Sequence, residues 1–324
     1  MIPDPSIRDT DGRWRPPRHT CRVDLHLLRT FLTVARLGSF SAAARDLGYT
    51  QSAVSQHIAA LEADLGAPVL ERRPVVPTAV GARLLEHAGP LLLRAEAARA
   101  DIARMTTRPT ARVVIGRTPL AAAEELATAL AGARRTVPGL LVQVRVLSGA
   151  ALPAAVATGE VDLALVDGVA APNDPLHLPD TSPLAAAGVG ERPLAVVLPR
   201  DHPLAGRARL RLTDLADAVW LDAPDLMPTP DQLCGITGAD GFRARVRYEG
   251  ADPHGLLALV AAGHGLALLP SDAADRVPGL AAVPLASPRL VHRTEILHSR
   301  GLDGPGGLIA ARLTGTDPDR APTG

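Results

Sequence analysis

Gln51, Ser52, Ser55 and Gln56 cluster at the start of a segment whose apolar residues recur at helical spacing. A carboxamide places a donor beside an acceptor and can pair bidentately with the edge of adenine. A hydroxyl donates or accepts at several bases or at phosphate. These groups read hydrogen-bond patterns; they do not break covalent bonds. The sequence offers no competing chemistry of that kind. It has no GxSxG elbow, no HExxH pair and no P-loop lysine, and its 10 His are scattered, with His254 and His264 too far apart for metal spacing on one helix turn. The two Cys, Cys21 and Cys234, form no CxxC and read as reduced thiols. No catalytic residue, metal site or cofactor is expected.

The surrounding elements place the four side chains. Leu25, Leu28, Phe31, Leu32, Ala35 and Leu37 define a first amphipathic helix that stops at Gly38. Ser41 is expected to cap a short helix through Leu47, and Gly48 supplies the turn. Thr50 then caps a helix that runs to about Leu65 and ends at Gly66, with Ala53, Val54, Ile58, Leu61 and Leu65 facing inward. Two short helices joined by a tight turn are the anatomy of a helix-turn-helix, whose second helix meets base edges in the major groove of double-stranded DNA. Arg72 and Arg73 follow, ahead of the apolar Pro74-Val75-Val76-Pro77. Beyond Thr78 a long helix reaches about Met105. Leu84, Ala88, Leu91, Ala95, Ala98, Ile102 and Met105 repeat in steps of four and three, the seam of a coiled coil and so of a homodimer.

Composition supports this division. All 34 basic residues are Arg, and the formal net charge is zero. Through Arg108 there are 15 Arg against 11 Asp and Glu; beyond it there are 19 against 23. A basic front and an acidic back suit a domain that faces nucleic acid joined to one that avoids it. Residues 1–22 are Pro- and Arg-rich without periodicity and read as a disordered extension. No signal peptide or bilayer-spanning run is evident, so a cytoplasmic protein with no membrane partner is expected.

After the linker Thr106–Thr110 the pattern changes to alternating strands and helices, which argues for a parallel sheet in an α/β domain. Arg112–Gly116, Leu141–Leu147, Asp162–Val166, Leu194–Leu198, Val219–Leu221, Arg245–Tyr248 and Leu266–Leu269 read as strands. Thr118 is placed as the cap of a helix beginning at Pro119, and Ser148 as the cap of a helix through Thr158. Asp252-Pro253 opens a helix that ends at Gly263. Pro and Gly interrupt Asp225–Gly241, and the tail after Gly301 has little pattern.

The string DLHLLRTFLTVARLGSFSAAARDLGYTQSAVSQHIAALEADLGAPVLER resembles the winged helix-turn-helix of LysR-type transcriptional regulators, and ATGEVDLALVDG, LPRDHPLAG and LVAAGHGLALLPS resemble segments of their effector domain. The resemblance covers about residues 23–300. It implies an α+β multi-domain chain: a winged helix-turn-helix at 23–78, a linker and dimerisation helix at 79–110, and a two-lobed, periplasmic-binding-protein-like α/β domain at 111–300. Lobe 1 is expected over about 111–170 and 269–300, lobe 2 over 171–268, and a tail over 301–324. By position, Gln51, Ser52, Ser55 and Gln56 would face the groove, with Thr50, Ser41, Arg72 and Arg73 around them; the family's usual Arg is Gln56 here. A small-molecule effector would lie between the lobes, touching Thr118, Ser148 and Asp167. Arg117 beside helix N-termini favours an anionic one. Such a regulator is a homodimer or homotetramer. The alternatives are lobes that only oligomerise, or a solute-binding protein or lobe-derived enzyme with helices in front.

Overall fold

The computed structural model describes residues 24–106, 111–178 and 184–316. The expected extension at 1–22, most of the linker, the side chain of Met105 and the end of the tail lie outside the described residues. The chain divides into two compact units, Met1–Ala95 and Glu96–Gly324.

The first unit opens with three helices whose ends are set by side-chain caps. Helix α1 (Leu25–Leu37) starts at Asp24, whose carboxylate accepts from the His26 amide, and stops at Gly38 in the left-handed region. Helix α2 (Phe40–Leu47) is capped by Ser39, which accepts from the Ala42 amide, so the expected Ser41 cap is corrected by two residues. Ser41 lies inside α2, and its hydroxyl is free to reach elsewhere. Helix α3 (Gln51–Leu65) begins at Thr50, whose hydroxyl accepts from the Ala53 amide at 3.2 Å, and ends at Gly66. Leu28, Phe31, Val34, Val54, Ile58 and Leu61 are fully buried where the three helices meet.

Strands β1 (Leu70–Arg72) and β2 (Val75–Pro77) pair antiparallel, Arg72 opposite Val75, leaving only Arg73 and Pro74 in the turn. This is the short wing. Thr78 then donates to the Pro68 carbonyl and accepts from the Gly81 amide, starting α4 (Ala79–Thr106). The expected seam splits at this point. Ala88 is buried in the core of the first unit, with Leu84, Leu85 and Leu92 packed against it, whereas Leu91 is 43% and Ile102 63% exposed. The early seam residues therefore serve their own domain, because the helix lies against α1 and the wing before it extends beyond them.

The second unit is built on a mixed sheet. Strands β3 (Arg112–Arg117), β4 (Leu141–Val146) and β5 (Leu163–Ala170) are parallel, as the alternation of strands and helices requires. Strand β6 (Leu184–Pro199) is 16 residues long, far more than the expected Leu194–Leu198. Its first part pairs antiparallel with β12 (Val291–Ser299), which also pairs antiparallel with β5. Its last part pairs with β10 (Ala267–Pro270) and β11 (Leu280–Ser287), and β11 pairs parallel with β7 (Leu210–Arg211). Strand β6 thus runs from one core to another: Ala187 and Val189 pack in the first, Val196, Val197 and Leu198 in the second.

Lobe 1 packs Ile115, Leu163, Leu165 and Ile296 of the sheet against Leu126, Ala129 and Ala133 of α5 (Ala123–Thr136). Ile309 and Leu313 of α9 (Gly304–Thr314) complete this core, so part of the expected tail is a packed helix. Lobe 2 buries Trp220 and Leu221 of β8 (Val219–Asp222) against Leu256, Leu257 and Val260 of α8 (Pro253–Ala261). Strand β9 (Arg243–Arg247) pairs parallel with β8. Leu268, Leu269, Leu280 and Val283 belong to this second core, which moves most of 269–287 from the expected lobe 1 to lobe 2. The stretch that seemed interrupted holds helix α7 (Pro230–Thr237): Thr229 and Gln232 form a capping box, Pro230 sits at the first turn and Gly238 ends it.

Candidate nucleic-acid interface and inter-lobe cleft

On α3 the apolar side turns inward and the polar side stays out. Gln51, Ser52 and Gln56 are exposed and Ser55 is half-buried, while Val54 and Ile58 beside them are fully buried. Two of the exposed groups, Gln51 and Ser52, are tied to their neighbours. The Ser41 hydroxyl donates to the Gln51 carbonyl oxygen at 3.1 Å, and the Thr50 and Ser52 hydroxyls lie 3.0 Å apart. Ser41, Gln51, Thr50 and Ser52 are therefore brought together around the N-terminus of α3. A ring cluster of His26, Tyr49 and His57, each edge-on to the others, flanks it. Of the two wing arginines, Arg72 lies 5.4 Å from the Phe40 ring centroid and 3.5 Å from Glu62, and Arg73 is exposed at the turn.

In the second unit a cleft of about 630 Å³ opens between the lobes. Thr118, Gly149, Ala150 and Asp167 come from lobe 1, and His292 from the start of β12. The loop from Pro224 to Pro228, Gln232 and Ile236 of α7, and Leu268 come from lobe 2. The expected caps take different roles. Thr118 is 2% exposed and donates to the Leu165 carbonyl, because α5 starts only at Ala123 and residues 119–122 form a turn. Ser148 does not cap α6 (Leu152–Ala157), whose start is Ala151; its carbonyl accepts from Ala151 in the turn that brings Gly149 and Ala150 to the cleft. Asp167 does reach the cleft wall.

The matches to known proteins follow the same division. The model "Bacterial regulatory helix-turn-helix protein, lysR family" matches residues 25–82, and "LysR substrate binding domain" matches 106–305. The chain is 34% identical to the "Probable hydrogen peroxide-inducible genes activator" of Mycobacterium avium, over 79% of this chain and 81% of that protein. The chain belongs to the LysR family. It is also 32% identical to the "Small neutral protease regulatory protein" of Streptomyces coelicolor, over 74% of this chain and 71% of the other. A cysteine mutant of Corynebacterium glutamicum OxyR is similar at 25% identity, covering 90% of this chain and 91% of that one with a TM-score of 0.49. As a LysR-type protein, it is a DNA-binding transcriptional regulator with an effector-binding domain.

In this LysR-type chain, a polar relay missed in the sequence crosses the strands that join the lobes. His292, 4% exposed, lies 2.6 Å from Asp167 through Nε2 and 3.2 Å from Arg192 through Nδ1. A guanidinium can only donate, so Nδ1 accepts and the proton sits on Nε2, directed at Asp167. Arg192 continues to Asp272 at 3.1 Å and to the Leu120 carbonyl. Nearby, Arg293 donates to Glu191 and to the buried Glu295, and these hydrogen bonds hold its guanidinium above the ordinary value. Residues 191 and 192 lie about 100 positions from 292 and 293 in the sequence, and the register of β6 against β12 sets Arg192 opposite His292 and Glu191 opposite Arg293.

Arg117 is a correction. It lines a second groove of about 490 Å³, with Arg192, Arg276, His254 and Asp272, not the cleft that holds Thr118 and Asp167. Successive strand residues point to opposite sides, so adjacent positions 117 and 118 face apart. Its Nη2 donates to the Pro119 and Ala121 carbonyls at 3.0 and 2.5 Å. Burial pushes its guanidinium below the ordinary arginine value; Asp167 opposes this, and Arg192 and Arg276 add to it. Cys234 lies on α7, half-buried against the second core.

Proposed function

We propose that this regulator reads double-stranded DNA with the N-terminal face of α3 and responds to a small molecule held between its lobes. Gln51, Ser52, Ser55 and Gln56 meet base edges; Thr50, Ser41, Arg72 and Arg73 hold the flanking backbone. The observation that carries this reading is the sidedness of α3: a fully buried apolar stripe beneath exposed amides and hydroxyls, next to a wing with Arg73 at its turn. The chain acts as a homodimer, or a tetramer built from it, through the exposed later part of α4. Two recognition helices then match two half-sites. The effector occupies the cleft lined by Thr118, Gly149, Asp167 and His292, and closure of the lobes shifts the population of DNA-bound arrangements. Its place of action is the cytoplasm; among the described residues no helix is long and apolar enough to cross a membrane.

The test is selection of bound fragments from the organism's own DNA, followed by mobility shift with small molecules added. A shared sequence pattern with a ligand-dependent change in affinity supports the reading. Binding that shows no sequence preference contradicts it.

A further inference from the structure

We propose that the inter-lobe cleft takes a small organic cation, an amine or guanidine on a short apolar body, held between Asp167 and Asp225. The proposal rests on the reading of this cleft as the effector site. Asp167 and Asp225 both line it, the first from β5 of lobe 1 and the second from the loop after β8 of lobe 2. Among the described residues that line it there is no Arg, and the chain contains no Lys. Arg117, the residue that pointed to an anion, faces the other groove and is engaged by backbone carbonyls.

His292 is already engaged at both ring nitrogens: Nδ1 lies 3.2 Å from the Arg192 guanidinium and Nε2 lies 2.6 Å from Asp167. That bond occupies Oδ2 of Asp167, and a carboxylate keeps further lone pairs for a second donor. Asp225 is half-buried and pairs with no described cation. An anion entering here would meet two carboxylates and no guanidinium, whereas a cation would be attracted to both. Leu226, Met227, Ile236 and Leu268 provide the apolar surface for the rest of the ligand. Because the two carboxylates come from opposite lobes, a cation that touches both is bound best when the lobes are closed, and this differential affinity is what a switch requires.

The experiment is calorimetric titration of the full chain with pairs of matched skeleton: butylamine against butyrate, benzylamine against benzoate, and 1,4-diaminobutane against succinate. The amines bind and the carboxylates do not. Asp225→Asn and Asp167→Asn each weaken the amine by about ten- to a hundredfold, the range for a charge-assisted hydrogen bond. Asp167→Asn keeps an acceptor oxygen for His292, and Asp225→Asn leaves that relay untouched, so one variant remains informative if the other misfolds. Ile236→Trp, which fills the cleft, abolishes binding. Carboxylates that bind, and lose binding in Ile236→Trp, overturn the cation while leaving the cleft as effector site. Binding indifferent to Ile236→Trp overturns the cleft reading and the proposal together. No binding by any of the amines overturns the proposal.

Discussion

Ile102→Asp should separate the proposed dimer, and the exposures along α4 set the size of the effect. Ile102 is 63% and Leu91 43% exposed. Complete burial of such a side chain contributes about 1.5–3 kcal/mol, so covering what remains exposed contributes about 0.9–1.9 kcal/mol for Ile102 and about 0.6–1.3 kcal/mol for Leu91 per subunit. Both copies count in a two-fold interface, giving about 3–6 kcal/mol for the two positions. Losing both Ile102 contributions raises the dimer dissociation constant about 20- to 600-fold, before the repulsion of two facing carboxylates is added. Sedimentation equilibrium over a wide concentration range measures this directly. Because the side chain is mostly exposed, the stability of each subunit should change by no more than about 0.5 kcal/mol. An unchanged dissociation constant in Ile102→Asp, or a monomeric parent chain, refutes α4 as the dimer seam.

Three further outcomes are expected. Arg73→Ala weakens binding to all DNA sequences about equally and reduces the dependence of log affinity on log salt by about one, as read in filter-binding titrations; a sequence-selective loss contradicts a phosphate contact. His292→Leu leaves Asp167 and Arg192 without their shared partner and destabilises the second unit by about 1–3 kcal/mol or more in urea unfolding. An unchanged midpoint there removes the relay as a support of the fold. Gly81→Ala places a methyl group within contact distance of the Val69 carbonyl oxygen, where the backbone must move, and lowers the melting temperature of the first unit by the equivalent of about 1–3 kcal/mol; an undisturbed melting temperature shows that the wing is not packed on α4 in this way.

The two units differ in how much of them can be read from the residues alone. In the DNA-facing unit, local signals coincide with the structure: Gly38, Gly48 and Gly66 end their helices in the left-handed region, and Thr50 caps α3. Among its helix ends the miss, Ser39 for Ser41, is a choice between two hydroxyls flanking Phe40, either of which has the chemistry of a cap. In the sensing unit the decisive contacts are long-range. The first half of β6 is rich in Ala and Gly, residues with low strand propensity, and becomes a strand only because β12 pairs with it. Helix α9 hides behind its Gly-Pro-Gly-Gly start, and Pro230 and Gly238 look like interruptions of α7 although they are its two ends. Position in the chain is enough to put Thr118 and Asp167 on the cleft, but not to tell which groove Arg117 faces, because its side depends on register. His292 carries no local signal, since its partners are Asp167 and Arg192 from two other strands.

The most direct test of the account is quantitative binding of the full chain to its selected operator and to a scrambled duplex, with Gln51→Ala and Ser55→Ala combined. Each good base contact contributes about 1–3 kcal/mol of discrimination, so the double variant should lose about 30-fold or more of its preference for the operator while its affinity for the scrambled duplex and its dimer both persist. An operator preference equal to that of the parent chain contradicts the assignment of α3 as the reading helix.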